Sequence, residues 1–482
     1  MTHPIESSAA APAADALSMV KVNTAFISAI VAVATIGGFM FGYDSGVING
    51  TQQGLEKAFN LSKLGTGLNV GAILLGCAFG AFLAGRLADT MGRRSVMIIA
   101  ALLFILSAIG AGAASSSMMF VIARFVGGLG VGAASVLAPA YISEVTPANI
   151  RGRLSSVQQI MIITGLTGAF LVNYFLANWA GGSTAVLWGG YPAWRWMFWM
   201  QTLPATIFLV SLMFIPESPR FLMVKKHHDR AMGVLVRLFG KDHASRKFEE
   251  IRISLSAHTD QPRLSDLVDK ARGRIRPIVW VGIGLAVFQQ LVGINVVFYY
   301  GALLWQSVGF SENDSLKINV LSGSLSIVAC MVTIAVIDKV GRKPLLLIGS
   351  VGMAITLGLM AAAFSQGTLV NGSMHLPDQA GLLALVSANA YVVLFNISWG
   401  PVMWVMLGEM FPNQIRGSGL AVAGFAQWMA NYGISVSFPW LAASLGLVVT
   451  YGFYAASALV SAVFVLWAVH ETKGRELEDM VG

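Results

Sequence analysis

Long apolar runs separated by short polar stretches are the dominant pattern of this chain. A helix needs roughly 20 apolar residues to cross the hydrocarbon of a bilayer. Because backbone groups in lipid have to be hydrogen-bonded within their own segment, runs of this length predict helices. The pattern predicts twelve membrane spans, at 24–46, 66–88, 95–115, 118–142, 154–178, 195–215, 277–304, 318–338, 344–365, 381–408, 417–440 and 449–469.

The composition excludes a soluble protein. Charged residues make up only 11% of the chain, hydrophobic residues make up 56%, and the mean hydropathy is +0.71. A soluble domain carries about 25% charged residues, so most of this surface has to face lipid. The 52 glycines agree with this, since small residues let membrane helices approach closely. The two cysteines lie inside apolar runs and predict neither a disulfide nor a metal site.

The basic residues predict the orientation. On this map only Lys57, Lys63 and Lys317 fall in outer loops, Arg195 lies at an outer helix end, and Arg124 lies within a span. All other Lys and Arg residues fall on the opposite side, which the positive-inside rule assigns to the cytoplasm together with both termini. The net charge of +8 is thereby an orientation signal and does not indicate nucleic acid. We expect a multi-pass protein of a bacterial inner membrane, with residues 1–22 as a cytoplasmic tail.

Three pairs of motifs recur in the same order along the chain. They are 89–94 (DTMGRR) with 338–343 (DKVGRK), 144–152 (EVTPANIRG) with 409–417 (EMFPNQIRG), and 216–220 (PESPR) with 471–474 (ETKG). The repetition predicts an all-α membrane protein of two six-helix repeats. The predicted divisions are repeats at 23–215 and 277–470, a linker at 216–276 and a tail at 471–482. Such repeats place a substrate site between them, near the midplane.

The predicted linker contains short amphipathic stretches at 229–239 and 248–255. They favour a small cytoplasmic group of helices that covers the inner mouth of the pathway. A flexible linker is the alternative.

The repeated charges all fall at predicted cytoplasmic helix ends. Ion pairs there would hold the inner mouth shut in one state and separate in the other, as in a two-state gate. The alternative is that the charges only set the topology, since an exposed pair contributes about 0–1 kcal/mol. The candidate gate residues are Asp89, Arg93, Arg94, Glu144, Arg153, Glu217, Arg220, Asp338, Arg342, Glu409 and Arg416.

A family resemblance rests on 85–94 (GRLADTMGRR), 216–220, 289–295 (QQLVGIN) and 471–474. Together these stretches resemble the sugar porter family of the major facilitator superfamily. The stretches 41–44 (FGYD) and 399–404 (WGPVMW) most resemble its bacterial D-xylose/proton symporter branch. The resemblance implies the major facilitator fold and import of a monosaccharide by alternating access and proton symport. It also implies a monomer that needs no cofactor.

Polar residues inside a span usually face a pathway. The seventh predicted span carries Gln289, Gln290 and Asn295, whose amides both donate and accept hydrogen bonds, as sugar hydroxyls require. On a straight helix Asn295 would point about 140° away from Gln290. Gly293 between them permits an unwound segment that brings them together.

By resemblance, the sugar-binding residues come from both predicted repeats. For the aromatic residues among them the alternative is ordinary packing or anchoring at the interface. For the amides it is interhelical hydrogen bonding, worth about 0.6 kcal/mol on average. The candidates are Phe41, Gln159, Gln289, Gln290, Asn295, Tyr299, Trp404, Gln427, Trp428 and Asn431.

Asp44 in the first span and Arg124 in the fourth are the candidate proton-coupling residues. Desolvation disfavours a charged carboxylate, and a neighbouring Arg favours it. If the two residues meet in one conformation and part in another, Asp44 binds and releases a proton during the cycle. The symporter branch has a second carboxylate at a position that corresponds to Gln201 here. Facilitated uniport without protons therefore stays open as the alternative.

The sequence leaves the sugar open, because epimers differ by a single hydroxyl. D-xylose is the first expectation and D-glucose the second. A sugar sensor without transport is a third hypothesis, which the short tail after residue 474 disfavours. No combination of residues indicates an enzyme or a metal site.

Overall fold

The computed structural model describes residues 23–257, 264–269, 273–370, 373–412 and 415–473, and the side chains of residues 148–156, 254, 256, 257, 369, 370 and 373 lie outside this description. The described chain is almost entirely helical, as predicted. The first half contains the helices α1 (Thr24–Phe59), α2 (Lys63–Met91), α3 (Arg93–Ala113), α4 (Ser117–Val145), α5 (Ala148–Ala180), α6 (Ala193–Met200) and α7 (Thr202–Leu212).

The second half begins after a connecting segment. It contains α11 (Pro277–Leu291), α12 (Ile294–Ser307), α13 (Glu312–Val340), α14 (Arg342–Phe364), α15 (Asp378–Ile397), α16 (Trp399–Met410) and α17 (Arg416–Ala468). Between α14 and α15 lies a small hairpin of two antiparallel strands, β3 (Thr368–Val370) and β4 (Ser373–His375).

The connecting segment is itself helical. It contains α8 (Pro219–Val224), α9 (His228–Phe239), α10 (Lys241–Ala257) and a 3-10 turn (Leu264–Leu267), followed by the short antiparallel strands β1 (Val268–Asp269) and β2 (Arg274–Ile275). Helices α9 and α10 cover both stretches that the sequence marks as amphipathic. The backbone N–H of Asn23 donates to the carbonyl of Leu238 at 3.1 Å, so the start of α1 lies against the end of α9.

Ten helical segments in the described ranges are long and apolar enough to cross a membrane, so the chain is a multi-pass membrane protein. One of them, α17, has 53 residues, which corresponds to about 80 Å of helix. That length far exceeds the hydrocarbon thickness of about 30 Å. Gly446, with φ 82° and ψ 162°, breaks α17 near its middle. By contrast, only Gln201 separates α6 from α7, and its φ of −62° and ψ of −24° are nearly helical.

Small residues set how closely the helices pack. A Cβ atom at Gly42 of α1 would lie 1.7 Å from the carbonyl oxygen of Ile162 in α5, which leaves no room for any side chain. Glycines 76 and 80 of α2 face the backbone of α4 in the same way. Close backbone approach of this kind is how membrane helices gain van der Waals contact without a hydrophobic driving force.

Candidate functional site

Four carboxamides form one hydrogen-bonded cluster inside the second half. Gln427 Nε2 donates to Gln289 Oε1 at 2.8 Å, and Gln290 Nε2 donates to the same oxygen at 3.2 Å. Asn295 Nδ2 then donates to Gln290 Oε1 at 2.6 Å. The nitrogen of Gln289 is bound by the backbone carbonyls of Trp399 and Gly400, at 2.9 and 3.3 Å. We call these four side chains the amide cluster.

The amide cluster depends on the interruption that the sequence predicts at Gly293. Helix α11 ends at Leu291 and α12 begins at Ile294, while Gly293 adopts φ 81° and ψ 20°. This left-handed conformation is easy only for glycine. A Cβ atom at this position would also lie 2.7 Å from the Tyr454 ring. The break turns Asn295 towards Gln290, which a straight helix would not do.

A second interruption, after α15, was not predicted. Ser398 has φ −124° and ψ −93°, and the new helix α16 starts at Trp399. Pro401 has no N–H to donate to the carbonyl four residues earlier, so the Trp-Gly-Pro sequence was a signal for this break. The carbonyls of Trp399 and Gly400 follow the break and hold Gln289 in place.

Two further predicted sugar-binding residues meet each other. Asn431 lies on α17, four residues after Gln427 and on the same helix face. Its Nδ2 donates to the Tyr299 hydroxyl at 3.4 Å, and its Oδ1 accepts from Ser435 Oγ at 3.1 Å. Tyr299 belongs to α12, so this contact joins α12 to α17 beside the amide cluster.

Aromatic residues from the two halves also meet. The ring centroids of Phe41 on α1 and Trp428 on α17 lie 5.7 Å apart. Trp404 on α16 keeps 40% of its surface exposed. The structure thus places an aromatic contact between the halves, next to Gln427 in the sequence.

Helix α5 carries two adjacent glutamines that differ in burial. The sequence singled out Gln159, which is half-buried. Its neighbour Gln158 is buried against Gly38 of α1, and neither Nε2 nor Oε1 of Gln158 has a hydrogen-bond partner among the described residues. The adjacent Gln-Gln sequence was the only signal for Gln158, and helix periodicity alone could not decide which amide turns inward.

Asp44 and Arg124 form an ion pair that is sealed from solvent, with their side chains 0% and 1% exposed. Arg124 Nη1 contacts Asp44 Oδ1, and Arg124 Nη2 donates to the Asp44 backbone carbonyl at 2.9 Å. Asp44 Oδ2 has no partner among the described residues, nor has the hydroxyl of Ser107. Both atoms lie beside Gly127 of α4. Gln201 is also buried, and its Nε2 has no described partner.

The repeated charges of the first half assemble around Arg93, at the start of α3. Its guanidinium contacts Glu144 Oε1 at 3.1 Å and Asp89 Oδ1 at 3.2 Å. Its backbone N–H donates to Glu217 Oε1 at 2.9 Å, and Ser218 Oγ donates to Glu144 Oε2. We call this set the first charged cluster.

A second charged cluster is built around Arg342, at the start of α14. Its guanidinium contacts Glu409 Oε1 at 2.8 Å and Asp338 Oδ1 at 2.9 Å. Its backbone N–H donates to Glu471 Oε1 at 3.0 Å, and Thr472 Oγ1 donates to Glu409 Oε2 at 2.6 Å. Burial alone would raise the pKa of Glu471, but N–H donors from four backbone positions outweigh it and lower that pKa below its usual value.

The remaining predicted gate residues lie around these clusters. Arg94 donates to the carbonyls of Leu212 and Met213 at the end of α7, at 2.8 and 3.0 Å. Arg220 on α8 is exposed, and Arg416 donates to the Phe411 carbonyl at 3.2 Å. The side chain of Arg153 lies outside the described residues.

The two halves are joined by polar contacts at the end of the bundle away from the charged clusters. Asn49 on α1 donates to the Phe298 carbonyl at 2.7 Å, and its Oδ1 accepts from the Ala302 N–H at 3.0 Å. Gln52 donates to the Tyr299 carbonyl at 3.2 Å. The ion pairs of the first charged cluster lie within the first half, and those of the second charged cluster lie within the second half. The hydrogen bonds of Asn49 and Gln52, by contrast, join the two halves.

Known proteins resemble this chain over nearly its whole length. It is 50% identical to the glucose transport protein of Synechocystis sp., covering 95% of this chain and 97% of that protein. It is 37% identical to the D-xylose-proton symporter of Escherichia coli strain K12, covering 95% and 96%. The solved xylose transporter from E. coli, in a partially occluded inward-open conformation, matches with a TM-score of 0.80 and 36% identity over 94% of this chain and 100% of that one.

The profile of the family described as "Sugar (and other) transporter" matches residues 30–481. That range includes every candidate site residue described above. This chain belongs to the sugar porter family of the major facilitator superfamily.

Proposed function

We propose that this protein imports a monosaccharide together with a proton by alternating access. The observation that carries the proposal is the amide cluster, which gathers four neutral carboxamides at the break between α11 and α12. Polar side chains inside a membrane span usually face a pathway. Neutral carboxamides also suit a ligand whose hydroxyl groups both donate and accept hydrogen bonds. A transporter of this kind makes no covalent change to its substrate, so it is not an enzyme and needs no cofactor.

The proposed topology has twelve spans in two six-helix repeats, with both termini in the cytoplasm of a bacterium and the protein in its inner membrane. The break of α17 at Gly446 and the near-continuity of α6 with α7 support this count. The matching geometry of the two charged clusters supports the repeats, at 23–215 and 277–470. Helices α8–α10 then form a cytoplasmic segment between them. We propose a monomer as the working unit.

The proposed sugar site comprises the amide cluster with Tyr299 and Asn431, the aromatic residues Phe41, Trp404 and Trp428, and Gln159. The relatives point to two sugars, because one is named a glucose transport protein and another a D-xylose-proton symporter. The higher identity to the glucose transport protein favours D-glucose over D-xylose here.

Proton coupling is assigned to Asp44. In this conformation its carboxylate is buried in contact with the Arg124 guanidinium. Parting of the two groups in another conformation would leave a buried carboxylate that takes up a proton. Uniport is the second candidate, supported by the neutral, buried Gln201, which stands where the symporter branch has a second carboxylate.

The charged clusters are proposed as the cytoplasmic gate. In this conformation each cluster binds within its own half, while the halves are joined at the opposite end by Asn49 and Gln52. Such an arrangement fits a state in which the charged end is open.

The test measures uptake of D-glucose and D-xylose in cells or vesicles, with and without a protonophore, while the external pH is recorded. Symport predicts sugar-induced alkalinisation outside and accumulation that the protonophore abolishes. Asp44→Asn should lose both and retain sugar exchange. Asp314→Asn, which alters an exposed carboxylate paired with Lys317, serves as the matched control. Uptake without a pH signal that Asp44→Asn leaves unchanged would favour uniport and discard the symport proposal.

A further inference from the structure

The connection between α5 and α6, residues 181–192, carries aromatic rings that the sugar site does not use. Neighbouring rings meet edge to face, with centroids between 5.0 and 5.3 Å apart. Aromatic rings favour this arrangement, so the rings hold one another in place. We call the set the aromatic patch and residues 181–192 the hairpin. The members of the aromatic patch are Trp179, Trp188, Tyr191, Trp196 and Trp199.

Backbone hydrogen bonds fix the base of the hairpin. The Trp194 N–H donates to the Ser183 carbonyl at 2.9 Å. The Ala193 N–H donates to the Ala185 carbonyl, also at 2.9 Å. The Ser183 N–H donates in turn to Glu312 Oε1 at 2.9 Å, so the base also contacts α13. The protein itself therefore sets the position of the aromatic patch.

The aromatic patch continues the lipid-facing surface of α5. Leu171, Phe175 and Trp179 follow one another at every fourth position, so they lie on one helix face. Their exposed fractions rise from 38% at Leu171 to 72% at Trp179. The apolar span Val157–Ala180 has 24 residues and ends one residue after Trp179. At about 36 Å this span is slightly longer than the hydrocarbon thickness of about 30 Å, so Trp179 reaches the membrane interface.

Free indole N–H groups give the aromatic patch a polar side. Trp196 donates its indole N–H to the Trp188 carbonyl at 3.1 Å, and Trp199 donates to the Ile109 carbonyl at 3.3 Å. In the part of the chain that the structure describes, the indole N–H groups of Trp179 and Trp188 have no acceptor. An apolar ring with a free donor suits the layer where lipid tails meet headgroups.

The hairpin itself carries no charge. Residues 181–192 include no Asp, Glu, Lys or Arg. The nearest charged residue in the sequence, Arg195, donates to the carbonyls of Gly112 and Ala114, at 2.7 and 2.8 Å. Contact with lipid would therefore depend on the rings and not on the charge of the headgroup.

We propose that the aromatic patch docks the hairpin into the headgroup layer of the bilayer, at the end of the bundle away from the charged clusters. The lipid ester carbonyls accept hydrogen bonds from the free indole N–H groups of Trp179 and Trp188. The aromatic patch thereby anchors the first half to the membrane interface. This inference rests on the membrane-spanning helices and does not depend on sugar transport.

The experiment places a fluorophore on Val186→Cys, an exposed position of the hairpin, in full-length protein reconstituted into phosphatidylcholine vesicles. The quenchers are a lipid with a nitroxide on its headgroup, a lipid with a nitroxide deep in its acyl chain, and a water-soluble quencher on both sides of the membrane. We expect the headgroup nitroxide to quench this label most. The two native cysteines are buried, and the unsubstituted protein carried through the labelling is the blank.

Two control positions calibrate the depth. A label on Ile207→Cys, on the exposed apolar side of α7, should be quenched most by the acyl-chain nitroxide. A label on Arg252→Cys, on the exposed side of α10, should be quenched most by the water-soluble quencher.

The double variant Trp179→Ser/Trp188→Ser tests whether the rings cause the docking. In this variant the label at Val186 should lose its headgroup quenching and become accessible to the water-soluble quencher. Trp467→Ser, which alters an exposed tryptophan at the other end of the bundle, should keep the wild-type pattern. Headgroup quenching that persists in the double variant would overturn the role of the aromatic patch.

The label in otherwise unchanged protein decides the proposal even if the double variant folds poorly. Quenching mainly by the water-soluble quencher would overturn the proposal, because the hairpin would then project into water. Shielding from both nitroxide lipids, with energy transfer between labels on two copies, would also overturn it and identify a second copy of this chain as the partner.

Discussion

In the first half of the chain Arg93 binds Glu144, and its backbone N–H reaches Glu217. In the second half Arg342 binds Glu409, and its backbone N–H reaches Glu471. The glycine before each Arg has nearly the same backbone angles, with φ 97° at Gly92 and 102° at Gly341. The interiors of the two halves, by contrast, do not resemble each other.

The interior of the first half holds the sealed ion pair of Asp44 and Arg124, whereas that of the second half holds the neutral amide cluster. A charge that binds or releases a proton needs a partner that can leave, and a sugar needs neutral donors and acceptors. Under the proposed function, the ends of the two halves would share one task, while their interiors would divide coupling and recognition between them.

The largest expected effect comes from breaking the ion pair in the first half. Arg124→Leu leaves the Asp44 carboxylate buried without its cation, and breaking a buried pair in this way costs about 3–5 kcal/mol. We expect a clear fall in the melting temperature of the purified protein in detergent. The double variant Asp44→Asn/Arg124→Leu should recover part of this loss, because it leaves no buried charge.

Lys317→Leu is the control for that variant, since the Lys317–Asp314 pair is exposed and such pairs contribute about 0–1 kcal/mol. Equal melting temperatures for Arg124→Leu and Lys317→Leu would contradict the expectation that the buried Asp44–Arg124 pair contributes more to stability than an exposed ion pair does.

An intermediate effect is expected from the amide cluster of the second half. Gln290→Leu removes two hydrogen bonds, one to Gln289 and one from Asn295, and leaves Asn295 Nδ2 without this acceptor, whereas Gln289 Oε1 keeps its bond from Gln427. We expect the KM for sugar to rise about tenfold with little loss of thermal stability. Initial rates of uptake over a range of sugar concentrations measure this. Gln366→Leu, at an exposed position after α14, is the matched control, and an unchanged KM in Gln290→Leu would remove this amide from the site.

The smallest effects are expected from the shared ends. Arg93→Gln and Arg342→Gln each break ion pairs that are partly open to solvent, so each should change the maximal transport rate by no more than about fivefold. Because the two clusters have the same geometry, the two changes should be similar in size. Counterflow rates in proteoliposomes measure them, with Arg252→Gln on the exposed α10 as control. A large effect in one half alone would show that the clusters differ in function despite their geometry.

Local rules account for the parts of the site that the sequence predicted. Gly293 is the one residue between Gln290 and Asn295 that adopts a left-handed backbone without strain, so the break was foreseeable from its position. Pro401 gave a comparable signal for the break at Ser398. The break was not predicted because the apolar run at 381–408 was interpreted as one continuous span. The choice between Gln158 and Gln159 had no local signal, because it depends on how α5 packs against Gly38 and Gly42 of α1.

The sequence alone determined the membrane character, the order of the helices, the paired motifs and the residue types of the site, because hydropathy and charge act locally along the chain. The tertiary structure decided which groups meet. It joined Arg93 to Glu217 and Arg342 to Glu471, sealed Asp44 against Arg124, and held Gln289 against the Trp399 carbonyl. These contacts link residues that are far apart in sequence, and helix packing, which no local pattern encodes, brings them within hydrogen-bond distance.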